Sequence, residues 1–436
     1  MHRPIDKMFR RVTVFVKTNF RWWHVALAFV AGIVLMVAAG VGGVAVYEYT
    51  ETPSFCSTCH VMKPQYIVYQ QQPHANVSCA TCHIGEGASF FIKSKIDGTR
   101  QLAATLTNTY ERPVPSPVKD LRPARETCQT CHSPDKFTDD VIKLHTHFES
   151  DEQNTETNAL LVLKLGGYDK TTKESKGIHW HIKSKVYYIA GDEERQTMLW
   201  IGVEDENGKL TEYWSRDLLT AARSGLVEKA RAEGRVRQLD CIDCHNRAAH
   251  LIEPPATLVD KALAAGQLDR TLPHLKQQSV QLLSGEYASQ DQGAAALEAL
   301  DTYFQREHPD AYARNRAAIQ DAVAQLQDIY RKTNFPDMKL NWQTYPNNVN
   351  HREFQGCFRC HDGQHVRIDA KGQVTGTIRN SCNLCHSVPV VTRVGGPGAR
   401  VEPELRPDGL NYVPRDMSGR VLPTPSTHNG AIDLTE

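Results

Sequence analysis

The longest apolar run of the chain lies near the amino terminus. Val25 to Tyr47 spans 23 residues without a charged side chain. An α-helix rises about 1.5 Å per residue, so this run can cross a hydrocarbon core of about 30 Å. A signal peptide would have a shorter apolar region of about 7 to 15 residues. The run therefore predicts one transmembrane helix over residues 25–47.

Strand-like patterns begin after residue 150, where short apolar runs are rich in β-branched and aromatic residues. The predicted strands are Ala159–Leu165, Val186–Ile189, Thr197–Val203 and Leu210–Trp214. Asn207-Gly208 is a tight-turn signal, and it predicts that the last two strands form a hairpin. We expect a small antiparallel β insert here.

Residues 256–334 follow a helical pattern instead. Near the end of this segment, five apolar side chains recur on one face of a 3.6-residue period. They are Tyr312, Ile319, Val323, Leu326 and Tyr330. We expect this stripe to pack into a core, and we expect the chain as a whole to be mainly α, apart from the β insert.

Composition excludes two classes of protein. The 436 residues exceed what one hydrophobic core usually organises, so more than one structural unit is expected. Lys and Arg together number 50, and so do Asp and Glu, which leaves no net positive field to hold a nucleic acid. Hydrophobic residues make up 40% and charged residues 23%, a balance that excludes wholesale disorder.

All twelve cysteines lie in C-x-x-C pairs, and a histidine follows each pair. The six motifs are Cys56/Cys59/His60, Cys79/Cys82/His83, Cys128/Cys131/His132, Cys241/Cys244/His245, Cys357/Cys360/His361 and Cys382/Cys385/His386. Disulfides or structural zinc would explain the cysteines but would not require the histidine. In c-type attachment, two thiols bind the vinyl groups of one haem and the adjacent imidazole reaches the iron. The pattern predicts six covalently bound haem c groups.

The charges around the apolar run predict its orientation. Six basic residues and one acid precede the run, whereas Glu48 and Glu51 follow it. By the positive-inside rule, the amino terminus lies in the cytoplasm and the bulk of the chain in the periplasm, anchored to the inner membrane by a single pass. Several glycines in the run would allow close packing against a possible integral membrane partner.

Two stretches of sequence are specific enough to indicate a family. They are Cys56-Ser57-Thr58-Cys59-His60-Val61-Met62 with His74-Ala75-Asn76-Val77 downstream, and Cys241-Ile242-Asp243-Cys244-His245-Asn246-Arg247-Ala248-Ala249-His250. Behind a single anchor, they resemble the NapC/NirT family of membrane-anchored, quinol-oxidising multihaem cytochromes c. The resemblance covers roughly residues 1–150 and 236–255. Typical members have four haems, whereas here a β insert precedes the fourth motif and two further motifs follow.

These patterns divide the chain into eight predicted segments. They are the cytoplasmic amino terminus (1–24), the transmembrane helix (25–47), the family-like core with haems 1 to 3 (48–150), the β-rich insert (151–235), the fourth haem segment (236–255), the helical segment (256–340), the dihaem segment with haems 5 and 6 (341–395) and the proline-rich tail (396–436).

The resemblance implies ligands for the first two haems. In the family, the methionine of C-x-x-C-H-x-M binds the first haem, and it corresponds to Met62; the alternative is His60. Lys95 matches the family lysine that ligates the second haem and borders the quinol pocket, and Lys93 is the alternative. Met62 and Lys95 are therefore the candidate residues for quinol oxidation.

The family pattern also implies distal histidines for the next two haems. It assigns His250 to the third haem, opposite His132, and His74 to the fourth, opposite His245. For the last two haems, proximity in sequence favours His351 and His365 as distal ligands. Four other histidines are alternatives: His145, His147, His179 and His181.

The predicted function is a periplasmic hexahaem cytochrome that oxidises membrane quinol and relays electrons to a periplasmic or outer-membrane acceptor protein. One alternative is a terminal reductase with one open haem, which would bind a small anion. Another is an electron-wiring anchor subunit of a larger respiratory complex, which would purify with a stoichiometric integral membrane partner.

Overall fold

The structure is a computed structural model that describes residues 22–85, 87–118, 123–133, 139–168, 175–218 and 225–394. The predicted tail and most of the predicted cytoplasmic segment lie outside these residues. Helix α1, Trp22–Thr50, contains the predicted span and exceeds it by three residues at each end. None of its side chains is buried, and its mean hydropathy reaches 2.5. A helix that is apolar all round and buries none of its side chains within its own chain is typical of a membrane span.

Short helices surround the first three cysteine motifs. They are α2 Pro53–Cys56, α3 Lys63–Tyr69, α4 Cys79–His83, α5 Ala88–Leu106 and α6 Ala124–Cys128. A small apolar cluster joins Val61 and Val68 from this region to Phe335, Met338 and Leu340. This cluster ties the first motif to the end of the helical segment.

The strands form three antiparallel sheets. They are β1 Val141–Phe148, β2 Glu156–Leu163, β3 Gly167–Tyr168, β4 Ser175–Lys176, β5 Lys185–Ala190, β6 Met198–Glu204, β7 Leu210–Ser215, β8 Arg237–Gln238, β9 His365–Ile368, β10 Val374–Thr377 and β11 Val390–Val394. The orders are β10-β9-β7-β6-β5-β8 in the largest sheet, β1-β2-β11 in the second and β3-β4 in the third. Trp200, Ile189 and Val366 of the largest sheet are fully buried.

The predicted hairpin is confirmed. Strands β6 and β7 pair from Trp200 with Trp214 to Glu204 with Leu210, and Gly208 adopts the positive φ of +79° that the turn needs. The expectation of a mainly α chain with a small antiparallel β insert is only partly correct. Strands β9, β10 and β11 come from the segment of the last two motifs and complete the sheets of the insert. Sequence patterns do not reveal such pairing, because the paired strands are far apart along the chain.

The remaining helices include the predicted helical segment. They are α7 Trp180–Lys183, α8 Leu226–Ala232, α9 Cys241–Cys244, α10 Pro255–Ala264, α11 Leu275–Leu283, α12 Gln290–Ala296, α13 Ala299–Glu307 and α14 Pro309–Thr333. Ile319, Leu326 and Tyr330 of the predicted stripe are buried, while Tyr312 and Val323 pack against the same core. The stripe is therefore confirmed as the core face of α14.

A buried ion pair joins the helical segment to strand β1. Lys276, only 2% exposed, donates to the carboxylate of Asp260 and to the Ala256 carbonyl oxygen. Asp260 also accepts from the Phe148 backbone N–H, at 2.9 Å, and from His147 Nδ1, at 2.9 Å. Burial raises the pKa of Asp260, but these hydrogen bonds outweigh burial and lower it overall.

We predict that Asp260→Asn lowers the free energy of unfolding by about 3–5 kcal/mol, because Lys276 would be left as a buried charge without its partner. The lowered pKa of Asp260 means that its ionisation contributes stability above its ordinary value of 3.8, and this contribution is lost as the pH falls. Denaturant unfolding of the detergent-solubilised protein, followed by circular dichroism, should show the deficit at pH 7 and a smaller one near pH 3.

Glu253→Gln provides the matched control for this prediction. Glu253 pairs with Lys261, whose side chain is 63% exposed, so its loss should cost about 0–1 kcal/mol. Equal effects of the two substitutions would contradict the role assigned to the buried pair.

Candidate haem-binding and electron-transfer site

One helical turn holds the thiols and the imidazole of a motif on the same side of the chain. The backbone N–H groups of His132, His245 and His361 each donate to the carbonyl oxygen of the first cysteine of their own motif, at 2.8–3.0 Å. Residues i, i+3 and i+4 share a helix face, so this turn presents two sulfur atoms and one ring together. At the fifth motif the turn requires Gly356, with φ +53°, because a Cβ there would lie 1.9 Å from the Asn350 carbonyl oxygen.

Successive motifs are neighbours in space, in the order in which they occur along the chain. Thiol contacts join motifs 1 and 2, motifs 3 and 4, and motifs 5 and 6, through the pairs Cys56/Cys79, Cys128/Cys241 and Cys357/Cys385. Electrostatic interactions join motifs 2 and 3, and motifs 4 and 5, through the pairs Cys82/Cys128 and Cys244/Cys357. The six motifs therefore form one continuous series.

The twelve cysteine thiols differ in their exposure to solvent. Cys82, Cys131 and Cys382 are exposed, whereas the other nine cysteines are half-buried. Helix α6 ends at Cys128, so Cys131 lies in the turn that follows it, at the surface. The exposed Thr130 hydroxyl lies beside it, with Oγ1 3.8 Å from Cys131 Sγ.

The motif spacing requires Cys131 beside Cys128 and His132, but it does not specify how much chain covers the thiol. Cys131 still lies near the second motif, since it interacts electrostatically with Cys82.

Five motif histidines each face a second histidine ring. The ring-centre distances are 6.2 Å for His83–His250, 6.0 Å for His132–His74, 6.5 Å for His245–His179, 5.8 Å for His361–His181 and 6.1 Å for His386–His351. A metal–imidazole bond is about 2 Å long and a ring nitrogen lies about 1 Å from the ring centre, so two imidazoles on one iron have centres about 6 Å apart. All five pairs have this spacing.

Ring spacing alone does not define a haem site. His274 and His308 also lie 5.9 Å apart, but no cysteine motif accompanies them, and His308 Nε2 lies 3.1 Å from the Tyr303 hydroxyl. A facing ring therefore indicates a haem site only where a cysteine motif accompanies it.

Two of the pairs differ from the family pattern. His250 was expected opposite His132, and it faces His83 instead. His74 was expected opposite His245, and it faces His132. Each of these two rings thus faces the motif before the one expected for it, and a third ring, that of His179, faces the fourth motif.

Two other expected ligands have different surroundings. Lys95 was expected at the second haem, but its Nζ lies 3.3 Å from Thr50 Oγ1 and 3.7 Å from Glu51 Oε1. His365 was expected at the fifth or sixth haem, but it is buried, with Nδ1 3.0 Å from Asp362 Oδ1 and Nε2 2.9 Å from the Met198 carbonyl oxygen. Neither ring nitrogen of His365 is left for a metal.

The first motif has different surroundings from the other five. The His60 ring packs edge-on against Tyr110, with ring centres 5.7 Å apart. Met62 lies two residues later, at the start of helix α3, and is half-buried. The candidate iron ligands at this motif are therefore the Met62 thioether sulfur and the His60 imidazole.

Backbone carbonyl oxygens orient several of the paired rings. His74, His181, His361 and His386 donate from Nδ1 to the carbonyl oxygens of Ala248, Ile178, Arg379 and Ser387, at 2.6–3.0 Å. A carbonyl oxygen only accepts, so Nδ1 carries the proton and Nε2 keeps the lone pair that a haem iron would need. Burial also lowers the pKa of His181 and of His250 to about 4, which keeps both rings neutral at pH 7.

A polar cluster lies at the end of α1 beside the first two motifs. The Lys95 ammonium lies over the rings of Tyr47 and Phe91, at 5.4 Å and 5.1 Å from their centres. Glu51 Oε1, 3.7 Å from Lys95 Nζ, is shielded from solvent and accepts no hydrogen bond. Sequence reasoning used Glu51 only as a flanking charge, although its position directly after the span could have marked it.

The fourth motif contains a buried carboxylate that holds its neighbours together. Asp243 is 3% exposed and accepts from the Tyr188 hydroxyl of β5, at 2.6 Å, and from Arg195, at 3.3 Å. Arg359 of the fifth motif donates to the Asp243 carbonyl oxygen, at 2.6 Å, and to that of Arg195, at 2.9 Å. These hydrogen bonds connect the fourth motif, the largest sheet and the fifth motif.

The residues fit haem c better than the two other groups considered. None of the twelve cysteines, all of which are described, forms a disulfide. Within the described ranges, no three His, Cys, Asp or Glu side chains converge as a zinc ion would require. Two thiols beside one imidazole are what a covalently attached haem requires, and five of the six motifs add a second imidazole about 6 Å away.

Comparison with known proteins agrees with this chemistry. The NapC/NirT cytochrome c family, N-terminal region, matches residues 18–114. Cytochrome c-type protein ImcH of Geobacter sulfurreducens is 37% identical over 361 residues, which cover 82% of this chain and 69% of ImcH. Cytochrome c-type protein NrfH of Wolinella succinogenes is 28% identical over 120 residues, 27% of this chain and 68% of that protein.

A further relative, from Nitratidesulfovibrio vulgaris, is named cytochrome c nitrite reductase subunit NrfH. It is 26% identical over 106 residues, which cover 23% of this chain and 62% of that protein. No solved structure matches the chain.

The fold and the motifs define a multihaem c-type cytochrome with covalently bound haem, anchored to the inner membrane by one amino-terminal helix. Within that class, the chain belongs to the NapC/NirT family of cytochromes c.

We predict six haems per chain, because every cysteine lies in a motif that fits one haem. Pyridine haemochrome analysis and intact mass of the mature protein should both give six, with no free thiol, the exposed Cys131 included. Cys382→Ala combined with Cys385→Ala should reduce the number to five. A mature wild-type protein with five or fewer haems would contradict the assignment.

Proposed function

We propose that this chain is a periplasmic hexahaem cytochrome that oxidises membrane quinol at its first haem and relays electrons to a periplasmic or outer-membrane acceptor. The observation that carries the proposal is the spatial order of the motifs. The first two lie at the end of α1, and each later motif is a neighbour of the one before it. Such an order provides one route from the membrane to the last pair of motifs.

The proposed axial ligands follow from the ring pairs. His83 with His250, and His132 with His74, hold the second and third irons, and His386 with His351 holds the sixth. Met62 is the proposed ligand of the first iron, since no second histidine ring is paired with His60 among the described contacts. A thioether ligand stabilises ferrous iron and so raises the reduction potential, which suits the haem that takes electrons from quinol.

The quinol site that we propose is the polar cluster of Lys95 and Glu51. Quinol oxidation releases two protons, and a general base must lie within hydrogen-bond reach of a quinol hydroxyl. Glu51 Oε1 is shielded from solvent and has no hydrogen-bond donor of its own, so it can accept from quinol. The Lys95 charge favours the ionised carboxylate, and Tyr47 and Phe91 provide aromatic surface beside it.

Bound haem supplies one-electron redox centres, so each of the two quinol electrons leaves separately. The chain's own residues supply the rest: α1 keeps the cluster at the membrane surface, Glu51 takes a proton, and Lys95 stabilises the anion that remains. The relative named as a nitrite reductase subunit supports a periplasmic reductase as the kind of acceptor.

We predict that Glu51→Gln slows haem reduction by a reduced quinol analogue by about a hundredfold, because the amide cannot take the proton. Lys95→Leu should also slow it strongly, while all six haems remain attached. Stopped-flow measurement of haem reduction in membranes provides the rates. Lys93→Leu, an exposed lysine two positions before Lys95 on α5, is the matched control and should have little effect.

Unchanged quinol turnover in both Glu51→Gln and Lys95→Leu would contradict this site. A strong effect of Lys93→Leu alone would place the quinol beside that lysine instead.

We also predict that electrons leave through the last two haems. Removing the sixth attachment site, with Cys382→Ala and Cys385→Ala, should leave haem reduction by quinol intact and abolish turnover of the physiological acceptor in membranes. Retained acceptor turnover would mean that electrons leave from an earlier haem.

A further inference from the structure

The β insert has no counterpart in the family pattern, and its contribution to the haem series is not explained by the quinol reaction. Two of its histidines, His179 and His181, lie on either side of Trp180 at the start of the short helix α7. The ring of His179 lies 6.5 Å from that of His245, and the ring of His181 lies 5.8 Å from that of His361. Both distances match two imidazoles on one iron, which lie about 6 Å apart.

We propose that His179 and His181 are the distal axial ligands of the fourth and fifth haem irons, so that one turn of the β insert joins the family-like haem core to the carboxy-terminal haem pair. The proposal rests on the haem attachment proposed above and does not depend on quinol oxidation.

Helical geometry explains how two ligands so close in sequence serve two different haems. Residues i and i+2 of a helix point to different sides, whereas i, i+3 and i+4 share a face. His179 caps α7 and His181 lies within its first turn, so one ring is directed at the fourth motif and the other at the fifth. The two motifs are themselves held together by Arg359, which donates to the Asp243 carbonyl oxygen.

The backbone holds this turn in place before any metal binds. Ile178 N–H donates to the Lys164 carbonyl oxygen and His179 N–H to that of Leu165, at 2.9 Å and 2.8 Å. Gly177, just before the turn, has φ +71°, and a Cβ there would lie 2.7 Å from the Lys164 carbonyl oxygen. Glycine is therefore required for the close approach that positions both rings.

The sheets hold the turn against the other motifs. Strand β5 begins directly after α7 and contributes Tyr188, which donates to Asp243 of the fourth motif. The Arg125 guanidinium, from the helix of the third motif, donates to the Ile182 carbonyl oxygen of α7, at 3.1 Å. The His181 ring donates from Nδ1 to Ile178, which leaves Nε2 for the iron.

The other histidines proposed for these two irons have other partners. His74, the family's choice for the fourth haem, faces His132. His365, the choice by sequence proximity, uses both ring nitrogens in hydrogen bonds to Asp362 and Met198.

The test uses His179→Ala, His181→Ala and the double variant in the full-length, membrane-extracted protein. Each single variant should keep six haems, because thioether attachment does not involve the distal ligand, and should convert one haem from low spin to high spin. The double variant should convert two. Haem count by pyridine haemochrome and spin state by absorption and EPR spectroscopy are measured on protein reduced or oxidised chemically, so quinol is not needed.

EPR also distinguishes the two haems. The planes of His179 and His245 are 26° apart and those of His181 and His361 are 88° apart. Near-parallel imidazole planes give rhombic low-spin signals, whereas near-perpendicular planes give highly anisotropic ones. His179→Ala should therefore remove a rhombic signal, and His181→Ala a highly anisotropic signal.

His308→Ala is the matched control, because His308 belongs to a histidine pair without a cysteine motif, and it should change no haem. His365→Ala should also leave the spin state of every haem as it is in the wild type. An unchanged spin state in His179→Ala or in His181→Ala would overturn the proposal, as would an additional high-spin haem in His365→Ala. A wild-type count below six would instead contradict the haem attachment on which it rests.

Where an alanine variant fails to accumulate, His181→Met supplies a thioether at the same place. It should keep the fifth haem low spin and raise one of the six reduction potentials, since Met/His ligation raises the potential relative to two histidines. An unchanged set of potentials would overturn the proposal for His181.

Discussion

The distance between two imidazoles on one iron, about 6 Å, is the constraint on which the architecture around the motifs depends. Each motif presents one ring from its helical turn, and at five of the six motifs a second segment brings another ring to that distance. In this chain the partners are far away in sequence: His250 reaches His83 and His181 reaches His361. These ring pairs therefore bring together parts of the chain that are far apart in sequence.

This constraint explains where the hydrophobic core lies. The largest apolar cluster belongs to helices α10 to α14 and includes Leu297, Phe304 and Leu326, far from most motifs. Near the motifs, small clusters and buried polar contacts hold the chain, such as Asp243 with Tyr188, Arg195 and Arg359. A buried carboxylate that loses its hydrogen-bond partners costs free energy. These contacts therefore fix the relative positions of the fourth and fifth motifs.

The polar cluster at the end of α1 also depends on a partly shielded carboxylate. Glu51 and Lys95 lie where α1 leaves the apolar region, partly shielded from water. Charges interact more strongly in a medium of lower polarity, so the lysine has a larger effect on the carboxylate than it would at an open surface. At the proposed quinol site, proton release and electron release would thus occur at neighbouring positions, beside the first two motifs.

Much of this protein could be predicted from local sequence, and the rest was decided by the tertiary structure. The span within Trp22–Thr50, the hairpin of β6 and β7 and the buried stripe of α14 each depend on residues a few positions apart, as does the turn that presents two thiols and a histidine. The tertiary structure placed His74 opposite His132, brought β11 onto the sheet of β1 and β2, and left Cys131 at the surface. A histidine in sequence is equally consistent with a surface, a core or an iron ligand, because its role is set by the ring that faces it. Sheet pairing and buried hydrogen bonds between remote residues bring that ring into place, and no local pattern records them.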